Sequence, residues 1–460
     1  MISQFSSHHA AAAAFAAFAA GIAGAGQWQD EFAITQDPWT QYRSYISTAP
    51  DDTVYVLWPD WTDWEDTKVN LMKSADHGQT WEGPWIIFEG LAYENMDLCA
   101  DAEAVHVLLV EFYEDEVNEY KLLYHTKSLD GGLTFTPPVR VGERENIEMI
   151  RLYTHGGVIY VYAQHYDFDQ DIAYNYLYVS TDGGENWQEK PMLPAWDLHH
   201  PALAFRNGDI HMAFGGFLAV PDIMYSQSKD QGDTWSTPVP VSSGAGSHSQ
   251  LPQIALDDNA VHVAWEDDRT DHFNIIYTRS TDGGQTWSVD EQLNDTYYAA
   301  RVKLLSDDEG VHAVWCQYHG DDGWPSSWSS ADYGIVWYKF SDDAGLSWTD
   351  EFRVSQNESI PPIDLPDMGA NHVKLAPYTD GFCAMWQDKR DGNIDLYLRN
   401  NLRDTCPADV NNDQTVDIDD LFQVLGAWGT CDDCPEDVND SGVVDIDDIF
   451  EILGNWGPCP

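Results

Sequence analysis

Ser280-Thr281-Asp282-Gly283-Gly284-Gln285-Thr286-Trp287 decides the fold, because five near-copies of it recur along the chain. They run Ser74–Trp81, Ser128–Phe135, Ser180–Trp187, Ser228–Trp235 and Ser341–Trp348, with Ser-to-Ser spacings of 54, 52, 48, 52 and 61 residues. Phe135 replaces the tryptophan, and Asn186 and Ser347 replace the threonine. A period near 50 residues means one supersecondary unit per copy, stacked on its neighbours. Each box reads as a hairpin turn. Its Asp takes backbone N–H bonds inside the turn, its Gly supplies a positive φ, and its aromatic packs beside the strands. The boxes are therefore predicted to be structural rather than catalytic.

Working outward, each box follows strand-like runs. The middle run alternates tightly at Val54–Trp58, Val105–Leu109, Val158–Tyr162, Ile210–Phe214, Val261–Trp265 and Val311–Trp315. A seventh copy, Gly381–Trp386, is followed by Ile394–Leu398 but has no box and no outer strand after it. Near the other end of the chain, Trp28-Gln29-Asp30-Glu31-Phe32-Ala33-Ile34-Thr35-Gln36 echoes Trp348–Gln356, which follows the sixth box. Residues 27–36 are predicted to complete the seventh sheet, so that hydrogen bonds between the two ends close a ring and leave no raw edge.

The box repeat resembles the Asp-box (BNR) repeat of sialidase-like β-propellers. The resemblance implies an all-β, seven-bladed propeller over residues 27–403, with its boxes on the rim away from the functional mouth. The innermost strand of each blade then lines a central channel. Leu98, Leu152, Leu203, Ile254, Leu304, Leu375 and Ile46 occupy a shared inward-packed position, and Met96, Ile150, Pro201, Pro252, Val302 and Val373 stand two residues earlier. Alternation turns the intervening residues toward the channel. The nearer column is Tyr45, Asp97, Arg151, Ala202, Gln253, Lys303 and Lys374; the farther one is Arg43, Asn95, Met149, His200, Leu251, Arg301 and His372.

Charge makes those columns informative. The 460 residues carry 78 acidic against 22 basic side chains, a formal net charge of −56, which disfavours nucleic-acid and anionic-membrane partners. Twenty Trp, 23 Tyr and 17 Phe argue against disorder. Arg43, Arg151, Arg301, Lys303 and Lys374 nevertheless converge on one axis, with His200 and His372 beside them and Asp97 among them. Such a cluster favours an anion; the alternative is a structural ring of ion pairs joining Asp97 to Arg151 or Lys303. The resemblance implies a sugar carboxylate held by Arg43 and Arg301, since sialidases use an arginine triad, a Tyr–Glu nucleophile pair and an Asp acid/base. Tyr42-Arg43-Ser44-Tyr45 stands where the family has Phe-Arg-Ile-Pro, and sialidase catalytic domains have six blades. Tyr45, Tyr297, Tyr298 and Tyr378 all lie near blade starts, so the nucleophile is unassigned. Trp58-Pro59-Asp60, Trp265-Glu266-Asp267-Asp268-Arg269 and Trp386-Gln387-Asp388-Lys389-Arg390 recur at equivalent places, which predicts a loop-stabilising Asp–Arg bond. His199-His200 and the insertion Gly320–Trp328 break the repeat, and the insertion's tryptophans suit sugar stacking.

Residues 405–460 hold 14 acidic residues and no Lys or Arg. Two duplicated loops place oxygen ligands at positions 1, 3, 5, 9 and 12, with a backbone carbonyl at 7, as calcium requires. The first is Asp409, Asn411, Asp413, Thr415, Asp417 and Asp420; the second is Asp437, Asn439, Ser441, Val443, Asp445 and Asp448. Each loop runs into one amphipathic helical turn. The tandem looks like a dockerin, a small α-helical calcium-binding domain, which implies a cohesin-like protein partner. Cys406, Cys431, Cys434 and Cys459 bracket the two copies, as Cys406–Cys431 with Cys434–Cys459 or in crossed pairing; Cys431-x-x-Cys434 alone would also suit zinc. Residues 1–25 read as an export signal ending Ala23-Gly24-Ala25, or alternatively a membrane anchor, so the mature chain is expected outside the cell or on its surface. The combined expectation is a glycoside hydrolase acting on an acidic glycan. The alternatives are a non-catalytic glycan- or protein-binding propeller and a purely scaffolding surface protein.

Overall fold

In the computed structural model, the described residues are 27–35, 44–60, 67–90, 93–114, 119–167, 170, 172–192, 199–215, 223–243, 248–270, 272–295, 299–319, 333–356, 373–388, 395–403, 406, 408–411, 415–430, 434–439 and 441–458. Gly26–Arg403 forms one compact unit, and the residues from Asp404 belong to another.

The larger unit is a seven-bladed all-β propeller of antiparallel sheets. Blade 1 begins with Tyr45–Thr48, blade 2 with Tyr93–Ala100, blade 3 with Ile147–His155 and blade 4 with His199–Arg206. Blades 5, 6 and 7 begin with Ser249–Leu256, Ala299–Ser306 and Val373–Tyr378. The innermost strands of blades 7 and 1 are neighbours, as are those of blades 1 and 2. Closure follows the sequence expectation. Gln27 and Trp28 pair with Leu402 and Asn401, and Phe32 and Ala33 pair with Leu398 and Tyr397. Gln36 and Ile394 lie outside the described residues.

Each box is the predicted hydrogen-bonded turn. In the first, Asp76 accepts from the Thr80 amide at 2.8 Å and the Thr80 hydroxyl at 2.6 Å, while the Ser74 hydroxyl accepts from Gly78 N at 2.8 Å. Side-chain and amide hydrogen bonds from Thr134 and Thr286 hold the Asp130 and Asp282 carboxyls down at about 2. The box glycine has a second job beyond its φ of +87° at Gly284: it presses on the preceding blade. A β-carbon there would lie 2.0 Å from Tyr225 Cε1. The box aromatic fills the same seam, Trp287 edge-on to Tyr225 at 5.3 Å and Trp348 edge-on to Tyr277 at 4.9 Å.

Blade 7 has no box, and Trp28 replaces its aromatic. It stands edge-on to Tyr338 of blade 6 at 5.2 Å and to Phe382 of blade 7 at 5.4 Å. The N-terminal segment thus supplies both the missing strand and the missing wedge. Below the boxes, buried histidines on the middle strands are anchored at both ring nitrogens. His262 bonds Tyr277 Oη at 2.7 Å and Asp257 at 2.9 Å, and His312 bonds Tyr338 Oη at 2.9 Å and Asp307 at 3.2 Å.

In the C-terminal unit, Ile418–Gly426 (α1) and Ile446–Gly454 (α2) start with matching capping boxes at Asp417 and Asp445. Short strand pairs join Thr415–Val416 to Gly457–Pro458 and Gly429–Thr430 to Val443–Val444. Ala408, Val410, Val416, Val424, Val444 and Ile452 form its own core. Among the described residues no helix is long and apolar enough to cross a membrane.

Two substitutions probe the ring. Trp28→Ala removes the seam wedge and should cost about 3–5 kcal/mol. Gly284→Ala combines a left-handed backbone with a clash and should cost about 2–4 kcal/mol. Urea unfolding of the full chain measures both, and wild-type stability in either variant would refute the packing argument.

Candidate functional site

Of the nearer column, Tyr45 is buried in the core between blades 1 and 2. Leu98, Leu152, Leu203 and Ile254 are buried in the cores between blades, whereas Asp97, Arg151, Ala202, Gln253, Lys303 and Lys374 remain partly accessible. Asp97 is fixed by two amides, accepting from Leu98 N at 2.9 Å and from Leu152 N of blade 3 at 2.8 Å. Arg151 donates to the Ile150 carbonyl at 2.8 Å, Lys303 donates to Gln253 Oε1 at 3.3 Å, and the Lys374 ammonium lies 3.9 Å from the centre of the Tyr45 ring.

These groups feel one another. Burial pushes the Lys374 ammonium down to about 7; Asp97 opposes the shift and Arg151 adds to it. Burial also drives Lys303 well below the usual lysine range, helped by Arg151, Lys374 and Arg301 and opposed by Glu266. Asp97 is raised because burial outweighs the attraction of Arg151 and Lys374 and its two amide bonds. Arg151 and two lysines of lowered basicity in a low-dielectric setting gain charge when an anion is brought beside them.

The farther column departs from expectation. The innermost strands of blades 2–6 carry register shifts near their starts, for example between His199 and Ala202, Gln250 and Gln253, and Ala300 and Lys303. At these bulges His200, Leu251 and Arg301 have φ of +46°, +51° and +61°. An extra residue breaks the two-residue pleat, so strict alternation no longer aims these side chains. Asn95 instead bonds the Glu148 carbonyl at 2.7 Å, and Met149 packs against the core between blades 3 and 4. Arg301 stays near enough to Lys303 to repel its charge. Arg43, His372, Tyr297, Tyr298 and the insertion 320–328 lie outside the described residues. Tyr378 is buried against His77 and bonds Asn400 at 3.2 Å, which makes it a packing residue.

Glu266 was not anticipated. It is fully buried, accepts from Arg301 N at 2.6 Å and from Gln250 Nε2 at 3.1 Å, and attracts Lys303. A signal existed: the equivalent places hold Pro59 and Gln387, so Glu266 breaks the repeat. Its neighbour Asp267 does carry the predicted Asp–Arg bond, both carboxylate oxygens accepting from Arg269 at 2.8 Å. Arg390 lies outside the described residues.

The C-terminal loops have their own geometry. Asp420 is fully buried and accepts from Asn411 N at 3.0 Å and Asp417 N at 2.8 Å; Asp448 repeats this with Asn439 N at 3.2 Å and Asp445 N at 2.7 Å. Asp437 accepts from Ser441 N at 3.0 Å and Gly442 N at 2.6 Å. Asp413 lies outside the described residues.

A model of the BNR/Asp-box repeat family matches residues 178–189, the third box. In sequence the chain is similar to an anhydrosialidase of Macrobdella decora, 22% identical over 50% of this chain and 32% of the relative. It is also similar to a xyloglucanase of Acetivibrio thermocellus, 23% identical over 53% of this chain and 31% of the relative. The chain thus spans about a third of the length of these relatives. Among solved structures, a protein of Dyadobacter fermentans aligns at TM-score 0.46 and 13% identity, over 83% of this chain and all of that one. A sialidase of Trypanosoma rangeli aligns at TM-score 0.43 and 10% identity, over 79% of this chain and 55% of that one.

A pH dependence follows from Lys374. With its pKa near 7, it gains a positive charge as pH falls from 8 to 6, and any protonation of Asp97 removes a negative one. Affinity for a monovalent carboxylate should therefore rise roughly tenfold over that fall. Lys374→Met should flatten the profile in calorimetric titrations, and a profile unchanged in the variant would remove Lys374 from the site.

Proposed function

We propose that this chain is an exported glycoside hydrolase of the sialidase-like kind, acting on an acidic glycan at its channel and docked elsewhere through its C-terminal module. One observation carries the reading: in a chain of net charge −56, Arg151, Lys303 and Lys374 come together where burial, helped by their mutual repulsion, depresses the two lysines. A sugar carboxylate, sialic or uronic acid, fits such a site. Two sequence relatives named as an anhydrosialidase and a xyloglucanase support glycan chemistry. Asp97, raised by burial and surrounded by these cations, is the described carboxyl placed to face the ligand.

A second reading, a non-catalytic glycan-binding propeller, is favoured by one specific fact. The two described carboxylates that act on the channel lysines already hold amides, Asp97 those of Leu98 and Leu152 and Glu266 that of Arg301. Fluorogenic sialosides and uronides separate the two. Hydrolysis that falls at least tenfold in kcat/KM in Arg151→Ala supports the enzyme. Binding of the free acidic sugar without turnover selects the second reading, and neither binding nor turnover overturns both.

The C-terminal module is proposed to bind two calcium ions as a dockerin-like domain. The donor set fits: Asp409, Asp420, Asp437 and Asp448 are all buried, and residues 405–460 contain no Lys or Arg to balance them. Buried carboxylates in a segment without Lys or Arg suit a bound cation. Asn411, Asp413, Thr415 and Asp417 would complete the first loop, and Asn439, Ser441, Val443 and Asp445 the second. Cys406 and Cys434 are proposed to pair with Cys431 and Cys459, straight or crossed. The same module leaves a duplicated apolar face exposed: Ile418, Phe422, Leu425 and Trp428 match Ile446, Phe450, Leu453 and Trp456 at a spacing of 28 residues. Such a face suits a cohesin-like protein partner. Calorimetry of the chelator-treated chain should give two calcium equivalents, falling to one in Asp448→Ala; no uptake by the wild type would overturn the assignment.

A further inference from the structure

Away from the channel, three turns on the box-bearing rim bring ligand-type side chains together where blade 7 meets blade 1. Asp52 lies in the turn between the first two strands of blade 1, His77 in the first box, and Asp380 in the turn between the first two strands of blade 7. One ligand atom from each lies within 4.8 Å of the other two, and His77 Nε2 is 3.4 Å from Asp380 Oδ1. Asp380 Oδ1 is sealed from solvent and accepts no hydrogen bond. Asp52 is held toward blade 7, its Oδ1 accepting from Thr379 N at 2.7 Å and Thr379 Oγ1 at 3.1 Å. The His77 ring rests 4.5 Å from that of Tyr378, and its backbone carbonyl accepts from Asn400 Nδ2 at 2.7 Å.

His77 also breaks the repeat. The equivalent box position is Gly131, Gly183 and Gly283 in three copies, Gln231 in a fourth and Ala344 in a fifth. His77 occupies it at φ +55°, a left-handed backbone that favours glycine. An imidazole is thus placed at a costly backbone position, facing a carboxylate oxygen that has no donor.

We propose that Asp52, His77 and Asp380 form a binding site for a divalent first-row transition metal, with zinc the best match, which ties blade 7 to blade 1 at the ring closure. One imidazole nitrogen with carboxylate oxygens is a donor set that suits zinc, cobalt or manganese better than calcium, which takes oxygen ligands alone. Side-chain rotations that draw the three atoms together would place them on bonds of about 2.0–2.2 Å. Three protein ligands leave a fourth position for water. The ion would satisfy Asp380 Oδ1 and couple metal uptake to the stability of the closed ring.

The experiment uses the full chain, stripped with chelator and returned to excess calcium so that the C-terminal acidic loops are filled. Cobalt is then titrated spectroscopically and zinc calorimetrically. The expected result is one further equivalent, with visible cobalt bands and a zinc-dependent rise in the thermal midpoint. His77→Gly restores the residue that three other boxes carry and so keeps the turn; it should weaken zinc at least about tenfold, since even outer-shell partners of a metal are worth that much. Asp380→Asn should do the same. No uptake beyond calcium would show the cluster to be a plain His–Asp ion pair, and equal uptake in the wild type and both variants would place the metal elsewhere. Either result overturns the proposal.

Discussion

The structure depends on one constraint: a ring of sheets closes only if the two ends of the unit share a blade. Blade 7 has three strands of its own, and its outer edge is covered by Gln27–Trp28 and Phe32–Ala33. The interlock is made from side chains as well as backbone. Every other seam is wedged by a box aromatic from the following blade, and the seam between blades 6 and 7 is wedged by Trp28. The opposite seam closes the same way, since the first box glycine sits against Phe32 of the N-terminal segment. Without that segment, two adjacent seams lose their filling together. The channel exists only while the ring is closed, so the site inherits its geometry from residues far from it in sequence.

Electrostatics explains why the site falls on the axis. The acidic boxes lie on the rim, where water and their own hydrogen bonds support the charge; Asp130 and Asp282 stay ionised down to about pH 2. The channel cannot use water so freely. Lys303 and Lys374 are held there with depressed basicity, opposed among the described residues by Glu266 and Asp97 respectively. A protein of strongly negative charge thus keeps a small positive interior, which long-range repulsion at the surface would otherwise screen from anions. An anion at the proposed channel site would be drawn by contact rather than steered from a distance.

The repeat was legible because it is local: six boxes, the middle strands and the echo of Trp348–Gln356 in Trp28–Gln36 are all readable from order and spacing. The buried column Leu98, Leu152, Leu203 and Ile254 was legible for the same reason, since a two-residue period holds through those stretches. The farther column was not. A bulge leaves no mark when the residue in the left-handed region is His200, Leu251 or Arg301 rather than glycine. Asn95 and Met149, expected in the channel, pack between blades instead. The Asp52, His77 and Asp380 cluster was invisible for a different reason: its members come from three turns that only ring closure brings together. His77 alone offered a hint, as a side chain where the repeat prefers glycine.

The bulges also account for how the mouth is held. Blades 4, 5 and 6 carry the same device at equivalent positions, each with a non-glycine residue at positive φ, a conformation that costs on the order of 1 kcal/mol or more per residue. In blade 6 the bulge turns the Arg301 amide onto Glu266 of blade 5 at 2.6 Å, and Glu266 in turn takes Gln250 of its own inner strand. A fully buried carboxylate is thus satisfied by a strained backbone from the next blade, and Lys303, two residues after the bulge, is attracted by the same carboxylate. Backbone strain, the buried carboxylate and the channel lysine form one coupled unit. Relaxing the bulge would free the amide, leave Glu266 short of a partner and release the restraint on Lys303. The position of Lys303 is therefore set less by its own side chain than by the kink in the strand that carries it.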